Sequence, residues 1–405
     1  VSARNFRAFW SDSPLVTCKS RTTRLVEAIV CSKPHKYKDL CYDLTPLSYN
    51  ELAAGPQFAS RNRVGGLANV GLFANSGATC RRLSRSRTPR MSNIYSRIVG
   101  TGSYLPSRIV TNDELASTLD TSDAWIRTMT GIVQRRIAGE GESTAEMAAI
   151  ASARALGNAG VNARDIDLII VATITPDLVF PSTAALLQAR LGARNVGAFD
   201  LSAACSGFMY GLALADGMIA SGRLKTALVV GAETMSRLLD WKDRSTCVLF
   251  GDGAAAVVLV SAKNPGVRSV RMHADGSDPN VLCTPSQRSR YLHMDGGAVF
   301  RFAVRGLVEA GGEMLEANNI TAASVDWLIP HQANLRIIES CARKLSIAKE
   351  KVVVTVDRHA NTSAASIPLA LDAAVTDGRV RTGDSVLLLS VGGGFTWAGG
   401  LITWA

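Results

Sequence analysis

The strongest constraint on what this chain can fold into is that it repeats itself. The segment DIDLIIVATITPDLVFPSTAALLQARL from Asp165 is echoed in pattern by VDWLIPHQANLRIIESCARKL from Val325. Likewise ASGRLKTALVVGAE from Ala220 is echoed by TDGRVRTGDSVLLLSVGGG from Thr376, with Arg379 falling 156 residues after Arg223. In each half a short apolar run suited to a strand leads through a turn into a small-residue-rich helical pattern. Two such α/β units packed face to face bring equivalent strand ends together and yield one site at a pseudo-twofold interface. The expected halves are residues 91–263 and 264–405, with Asn264-Pro265-Gly266 as the seam.

The stretch from Val196 to Gly222 holds the turn of the first half. Val196, Ala198, Phe199 and Leu201 read as a buried strand, and Phe208, Leu212, Ala215 and Ile219 as one face of a helix. Between them Ser-Ala-Ala-Cys-Ser-Gly places Cys205 at a helix N-terminus, where unpaired N–H groups and the helix dipole favour a thiolate. A lone cysteine there also has a plain reading, a small core residue at a tight turn. His331, in IPHQAN, directly follows a buried strand, and Asn361, in RHANTSAAS, is 30 residues further, at what reads as a second strand end. Singly, the histidine reads as a structural hydrogen bonder and the asparagine as a helix cap. Together with Cys205 they form a Cys/His/Asn set on the junctions of a repeated unit, a coincidence that the plain readings do not explain and that makes Cys205 a candidate covalent nucleophile. Gly392-Gly393-Gly394 adds backbone without side chains, so that an N–H can approach a thioester oxygen alongside the N–H of Cys205.

The net charge of +10 invites a nucleic-acid reading that its distribution refuses. Residues 1–90 hold 15 Lys/Arg against 5 Asp/Glu, leaving 29 of each for the body, which carries no cationic stripe interleaved with aromatics. No apolar run approaches the ~18 residues of a membrane span. Of the eight cysteines, the body's four (Cys205, Cys247, Cys283, Cys341) form no CxxC pair and no zinc-like spacing. A reducing compartment, no structural disulfide and no metal are expected. Residues 1–90 are Arg- and Ser-rich, poor in acids and devoid of Met. They read either as an organelle transit peptide or as an over-extended translation ahead of a natural start at Met91, and in both cases as a disordered extension outside the fold. The first reading implies the plastid stroma, the second the cytoplasm.

Elsewhere the pattern predicts a strand from Arg97, a helix over 112–119, and a helix opened by a Ser143/Glu146 capping box and running to about Asn158. GTG near residue 101 lacks the third glycine of a dinucleotide fingerprint. Val267 to Val299 reads as loop-rich, and an amphipathic helix is expected over roughly 298–318. Arg336, Arg343 and Lys344 share a helix after PHQAN, either as a solvated face or as a docking patch.

The ordered motifs GTGSYLP, DTSDAWI, AACSGF, FGDGAA, PHQAN, HANTSAAS and GGGFTW make Tyr95 to Ala405 resemble the β-ketoacyl-acyl carrier protein synthase III family of the thiolase-like superfamily. The resemblance implies a five-layer α-β-α-β-α fold built from two duplicated halves, working as a homodimer without cofactor or metal. It implies a decarboxylative Claisen condensation of an acyl-CoA primer, acetyl-CoA being expected, with malonyl-ACP to give 3-ketoacyl-ACP at the start of type II fatty acid biosynthesis. Cys205 would carry the acyl group, His331 and Asn361 would hold the malonyl thioester oxygen as CO₂ leaves, and the N–H groups of Cys205 and Gly393 would form the oxyanion hole. Trp125 and Arg244 would flank the CoA adenine, and Asn334 would lie near the pantetheine arm. Phe180 would cross the dimer interface to bound the partner's acyl pocket, and Arg336, Arg343 and Lys344 would meet the acidic carrier protein. Ordinary core packing is the competing reading of Trp125 and Phe180. Two positions depart from the pattern. Met129 stands where Arg is common, with Arg127 the nearest substitute, and Ala360 stands where Gly is frequent, which demands a negative φ there. A starter synthase with another acceptor and a Cys/His hydrolase are the rival activities, and primer length is a matter of packing around Phe180.

Overall fold

The computed structural model describes residues 94–194, 196–284 and 291–405, so the expected extension over residues 1–90 lies outside the described residues. β1 (Tyr95–Tyr104) is followed by a two-stranded ribbon, β2 (Arg108–Thr111) with β3 (Gln134–Ile137), which brackets α1 (Asn112–Ala116) and α2 (Asp123–Thr130). α3 (Thr144–Ala159) starts where Ser143 accepts from the Glu146 N–H. The Glu146 carboxylate turns outward to Arg190, 3.1 Å away. Then come β4 (Leu168–Ala172), α4 (Thr183–Leu191), β5 (Gly197–Leu201), α5 (Gly207–Ala220), β6 (Thr226–Thr234), α6 (Arg244–Cys247) and β7 (Asp252–Ala262). The first sheet has the order β1-β7-β6-β4-β5, with β4 parallel to both neighbours and β7 antiparallel to both of its own.

β8 (Val267–Ala274) opens the second sheet. A short ribbon, β9 (Leu282–Cys283) with β10 (His293–Met294), precedes α7 (Gly296–Ala317), β11 (Trp327–Pro330), α8 (Leu335–Lys344), α9 (Val356–His359), α10 (Ser366–Thr376), β12 (Ser385–Gly392) and β13 (Thr396–Thr403). The order β11-β12-β13-β8 repeats the first sheet without a counterpart of β5.

Apolar faces fix five layers. α3 and α4 cover the outer face of the first sheet through Met147, Ala151 and Leu187. α5 and α10 lie between the sheets, where Phe208, Leu212, Ile219, Ile367 and Leu371 meet Ile170 and Val257 on one side and Ile329 and Leu388 on the other. α7 and α8 cover the second sheet through Leu307, Met314, Ile337 and Cys341. Each helix buries one stripe except the two in the middle, which are apolar nearly all round because both faces are covered.

The repeat holds residue by residue. The Asp167 N–H donates to Thr226 O (2.9 Å) and the Asp326 N–H to Ser385 O (3.0 Å), while Leu168 pairs with Ala227 as Trp327 pairs with Val386. His331 therefore stands where the first half has Ala172, and Gly392 where it has Glu233. The turns into α5 and α10 match too: Ala204 has φ 47° before Cys205, and Ser363 has φ 49° before Ala364. The counterpart of Cys205 is thus Ala364, three residues beyond the expected Asn361.

Other expectations are corrected. β5 is an edge strand rather than a buried one, with Phe199 37% exposed, because no described strand lies beyond it. The stretch from Val267, read as loop, begins with β8. Its polar residues fit a strand that ends its sheet. Asn361 does not end a strand, since α9 precedes it and it forms only an isolated bridge to Phe250. Ala360 has φ 57° and ψ −163°, not the negative φ required of it.

Candidate active site

A cavity of about 1170 Å³ opens between the halves, and Cys205, His331 and Asn361 all line it. Trp125, Met129, Arg244, Asn334, Arg336 and the Gly392–Phe395 segment line it as well.

Cys205 is 8% exposed in a single 3-10 turn, Ala204–Ser206, that leads into α5. The sheets set its backbone: a Cβ on Gly392 would stand 2.7 Å from Cys205 N and 3.1 Å from Ser206 N. Gly392 is therefore the glycine that the close approach demands, and Gly393 follows beside Leu282. Burial pushes the Cys205 thiol up to about 12, with the charge of Glu233 acting in the same direction and Ser363 against both. The expected bias toward thiolate is thus overridden, because desolvation of a buried charge outweighs the helix end.

His331 is held by its N–H on Leu389 O (2.7 Å) and by its neighbour Gln332, whose amide spans to Pro330 O and to the Thr355 N–H. Its buried ring leaves Nδ1 without a partner, and burial lowers its pKa to about 3, so the imidazole is neutral at physiological pH. Asn361 Oδ1 accepts from the Ser363 N–H (2.9 Å), and its backbone is tied to Leu249 and Gly251. That fixes the carboxamide with its NH₂ still available to a ligand.

At the mouth the Arg244 guanidinium lies over the Trp125 ring, 4.8 Å from its centroid, and also donates to Asp120 O. Trp125 is 37% exposed, so the core-packing reading fails for it. Asn334 caps α8, accepts from the Arg336 N–H and donates to Met129 O (3.1 Å), which joins α8 to the end of α2. Arg127 is taken by Asp123 at 2.6 Å. Arg336 lies over Phe300, while Arg343 and Lys344 are exposed at the far end of α8. Phe180 is 85% exposed with Val179 beside it at 98%, so it is no core residue and lines none of its own chain's cavity.

Sequence reasoning missed two buried groups. Arg135, fully buried, braces the cavity wall by donating to Val248 O (2.9 Å) and to Asn112 Oδ1 (2.9 Å). Glu233, also fully buried, lies behind Cys205. Arg135 sits in β3, whose alternation gives a charged residue no special signal, whereas Glu233 closes the apolar run TALVVGAE, where a lone carboxylate is the signal that could have found it. The four described cysteines are free. Among the described residues no group of three or more His, Cys, Asp or Glu is placed to hold a metal.

Two face-to-face α/β units with a buried cysteine at the helix start between them are the architecture of the thiolase-like acyl-transferring enzymes. Profiles described as 3-oxoacyl-[acyl-carrier-protein (ACP)] synthase III and its C terminal match residues 199–276 and 315–404. A β-ketoacyl-[acyl-carrier-protein] synthase III of Xylella fastidiosa (strain 9a5c) is 55% identical over 318 residues, 76% of this chain and 98% of that one. The chain belongs to the β-ketoacyl-acyl carrier protein synthase III family, the condensing acyltransferases of fatty acid biosynthesis. Among solved structures, 3-oxoacyl-[acyl-carrier-protein] synthase III from Aquifex aeolicus VF5 superposes with a TM-score of 0.74 at 48% identity, covering 76% of this chain and all of that one. The priming β-ketosynthase of the R1128 polyketide pathway gives 0.75 at 39% identity, over 76% and 96%. No described helix is long and apolar enough to cross a membrane.

Proposed function

We propose that the chain condenses an acyl-CoA primer, acetyl-CoA first among them, with malonyl-ACP, and that Cys205, His331 and Asn361 carry the reaction. The observation that supports this most is the convergence of these three side chains, drawn from both halves, on one cavity. In the first step the Cys205 sulfur takes the acyl group and its proton leaves on the CoA thiol, so a resting pair of neutral thiol and neutral imidazole needs no net base. In the second, malonyl-ACP loses CO₂. The enolate oxygen accepts hydrogen bonds from His331 and the Asn361 carboxamide, its carbon attacks the acyl thioester, and Cys205 departs and regains a proton. The N–H groups of Cys205 and Gly393 hold the acyl oxygen, each such donor contributing on the order of 10² to 10³ in rate. Trp125 and Arg244 would take the CoA adenine between them, which requires their present stack to open. Asn334, anchored at the base of α8, lies along the route of the pantetheine arm. Phe180 is suited to closing the cavity of a second copy, which makes the working unit a homodimer. Bacterial relatives support a cytoplasmic location, and the plastid stroma stays tied to the transit-peptide reading of residues 1–90.

Intact-mass and product assays test the assignment. With acetyl-CoA the wild-type chain gains one acyl group and Cys205→Ala none. His331→Ala and Asn361→Ala still acylate but release no 3-ketoacyl-ACP or CO₂ with malonyl-ACP. Normal condensation by Asn361→Ala would remove Asn361 from the mechanism, and free acid as the only product would make the enzyme a hydrolase.

A further inference from the structure

Glu233 is the penultimate residue of β6, at the position that Gly392 occupies in the other half, and its carboxylate is fully buried. Oε2 accepts from Thr175 Oγ1 (2.5 Å), Thr173 Oγ1 (3.2 Å) and the Ile174 N–H (3.1 Å). That arm is braced in turn, for Thr175 Oγ1 also accepts from the Thr234 N–H at 2.8 Å. On the other side Ser363 lies buried between the carboxylate and the Cys205 thiol, its hydroxyl satisfied by neither in ordinary hydrogen-bond geometry. Ser363 has little freedom to withdraw. A Cβ on Gly231 of β6 would come 2.4 Å from Ala364 O, so the turn and the strand are in contact.

We infer, resting on Cys205 as the acyl carrier, that Glu233 is a positioning residue for the nucleophile: its buried carboxylate backs the turn of Ser363, which itself lies against the turn of Cys205, and so sets the charge behind the thiol. No carboxylic acid is needed at this place for packing alone, since three hydroxyl and amide donors are spent on satisfying it. Burial raises the Glu233 pKa to about 7, so its charge is present above neutrality and lost below it. Other charged groups on elements packed against β6 are Glu146 and Arg154 on α3, Asp216 on α5, Asp252 on β7 and Asp372 on α10. Facing Cys205 itself, His331 stays neutral well below pH 7. The Glu233 charge acts in the same direction as burial on the thiol.

The rate at which iodoacetamide alkylates Cys205, followed by peptide mass spectrometry against pH, reads this coupling. Glu233→Gln keeps the shape and removes the charge. Its rate relative to wild type should be about 1 near pH 5.5 and roughly fivefold or more near pH 8.5, the sign following from a carboxylate that ionises in between. A pH-independent ratio marks a merely structural residue and overturns the inference. If the variant does not fold, the wild-type profile decides: log rate should flatten near pH 7 and then climb again, whereas a straight line through neutrality overturns it. Acetyl-CoA labelling of the wild-type chain runs in parallel. An acyl adduct on another residue would sink the reading of Cys205, and a flat ratio with the adduct on Cys205 sinks only the role of Glu233.

Discussion

Cys205 sits in two opposing fields. The start of α5 favours a thiolate, yet a 3-10 turn separates the sulfur from the first helical residue, Gly207, and desolvation prevails. The residue type and its place were legible in the sequence, because a strand-to-helix turn of small residues is a local pattern. The thiol's ionisation was not, because it is set first by burial between the two halves and then by Ser363 and Glu233, which lie 158 and 28 residues away in the chain. Ala360 teaches the same point about backbone. Its φ of 57° with ψ −163° is a region that glycine alone occupies freely, and its Cβ is fully buried. Ala360→Gly should relieve strain of roughly 1–3 kcal/mol, offset by about 0.4–1 kcal/mol of extra chain entropy in the unfolded state. The expected rise in midpoint is about 2–4 °C, measured by calorimetry, and an unchanged or lower midpoint would show that the turn carries no strain.

Among the elements, α8 joins the cavity to the surface. Its cap, Asn334, is fixed on Met129 O, Arg336 leans over Phe300 at the rim, and Arg343 and Lys344 project from its last turn. Cations there suit an acidic carrier protein, both by steering its approach and by complementing the helix C-terminus. Reversing Arg336 and Arg343 to Glu together should raise the KM for malonyl-ACP about tenfold and leave that for acyl-CoA within twofold. Steady-state kinetics with each substrate varied in turn checks this, and equal rises would defeat the docking role. The helices of this fold were readable from their period and caps, as Ser143 on α3 shows. Two of the four strands that end the large sheets, β5 and β8, were misread. What decides the burial of β5 and β8 is the presence or absence of a neighbouring strand, which no local pattern encodes.

At the scale of the whole molecule, Leu178, Val179 and Phe180 form a run of exposed apolar side chains ahead of α4, at 49%, 98% and 85%. Such an exposed run calls for a cover, and the second copy proposed above would supply one. Sedimentation should find a species of twice the chain mass, with Phe180→Arg shifting it toward monomer and slowing acylation of Cys205. A wild-type monomer that acylates at full rate would falsify this. The duplicated architecture was legible from the echo of Asp165–Leu191 in Val325–Leu345, because a repeat declares itself in sequence. Which of its turns had been emptied was not.

That emptied turn, where Ala364 repeats the backbone of Cys205 and Glu233 faces it from the place of Gly392, bears on why the repeat is fused at all. Two separate identical units meeting on a twofold axis must present the same residue at both turns, and so would offer two thiols with no distinct partner for either. Joining them in one chain frees each turn to mutate alone. One could then keep its thiol against an open glycine while the other gave up sulfur for alanine and placed a carboxylate behind its neighbour. Tandem fusion is, in this sense, what allows a symmetric scaffold to hold an asymmetric reaction.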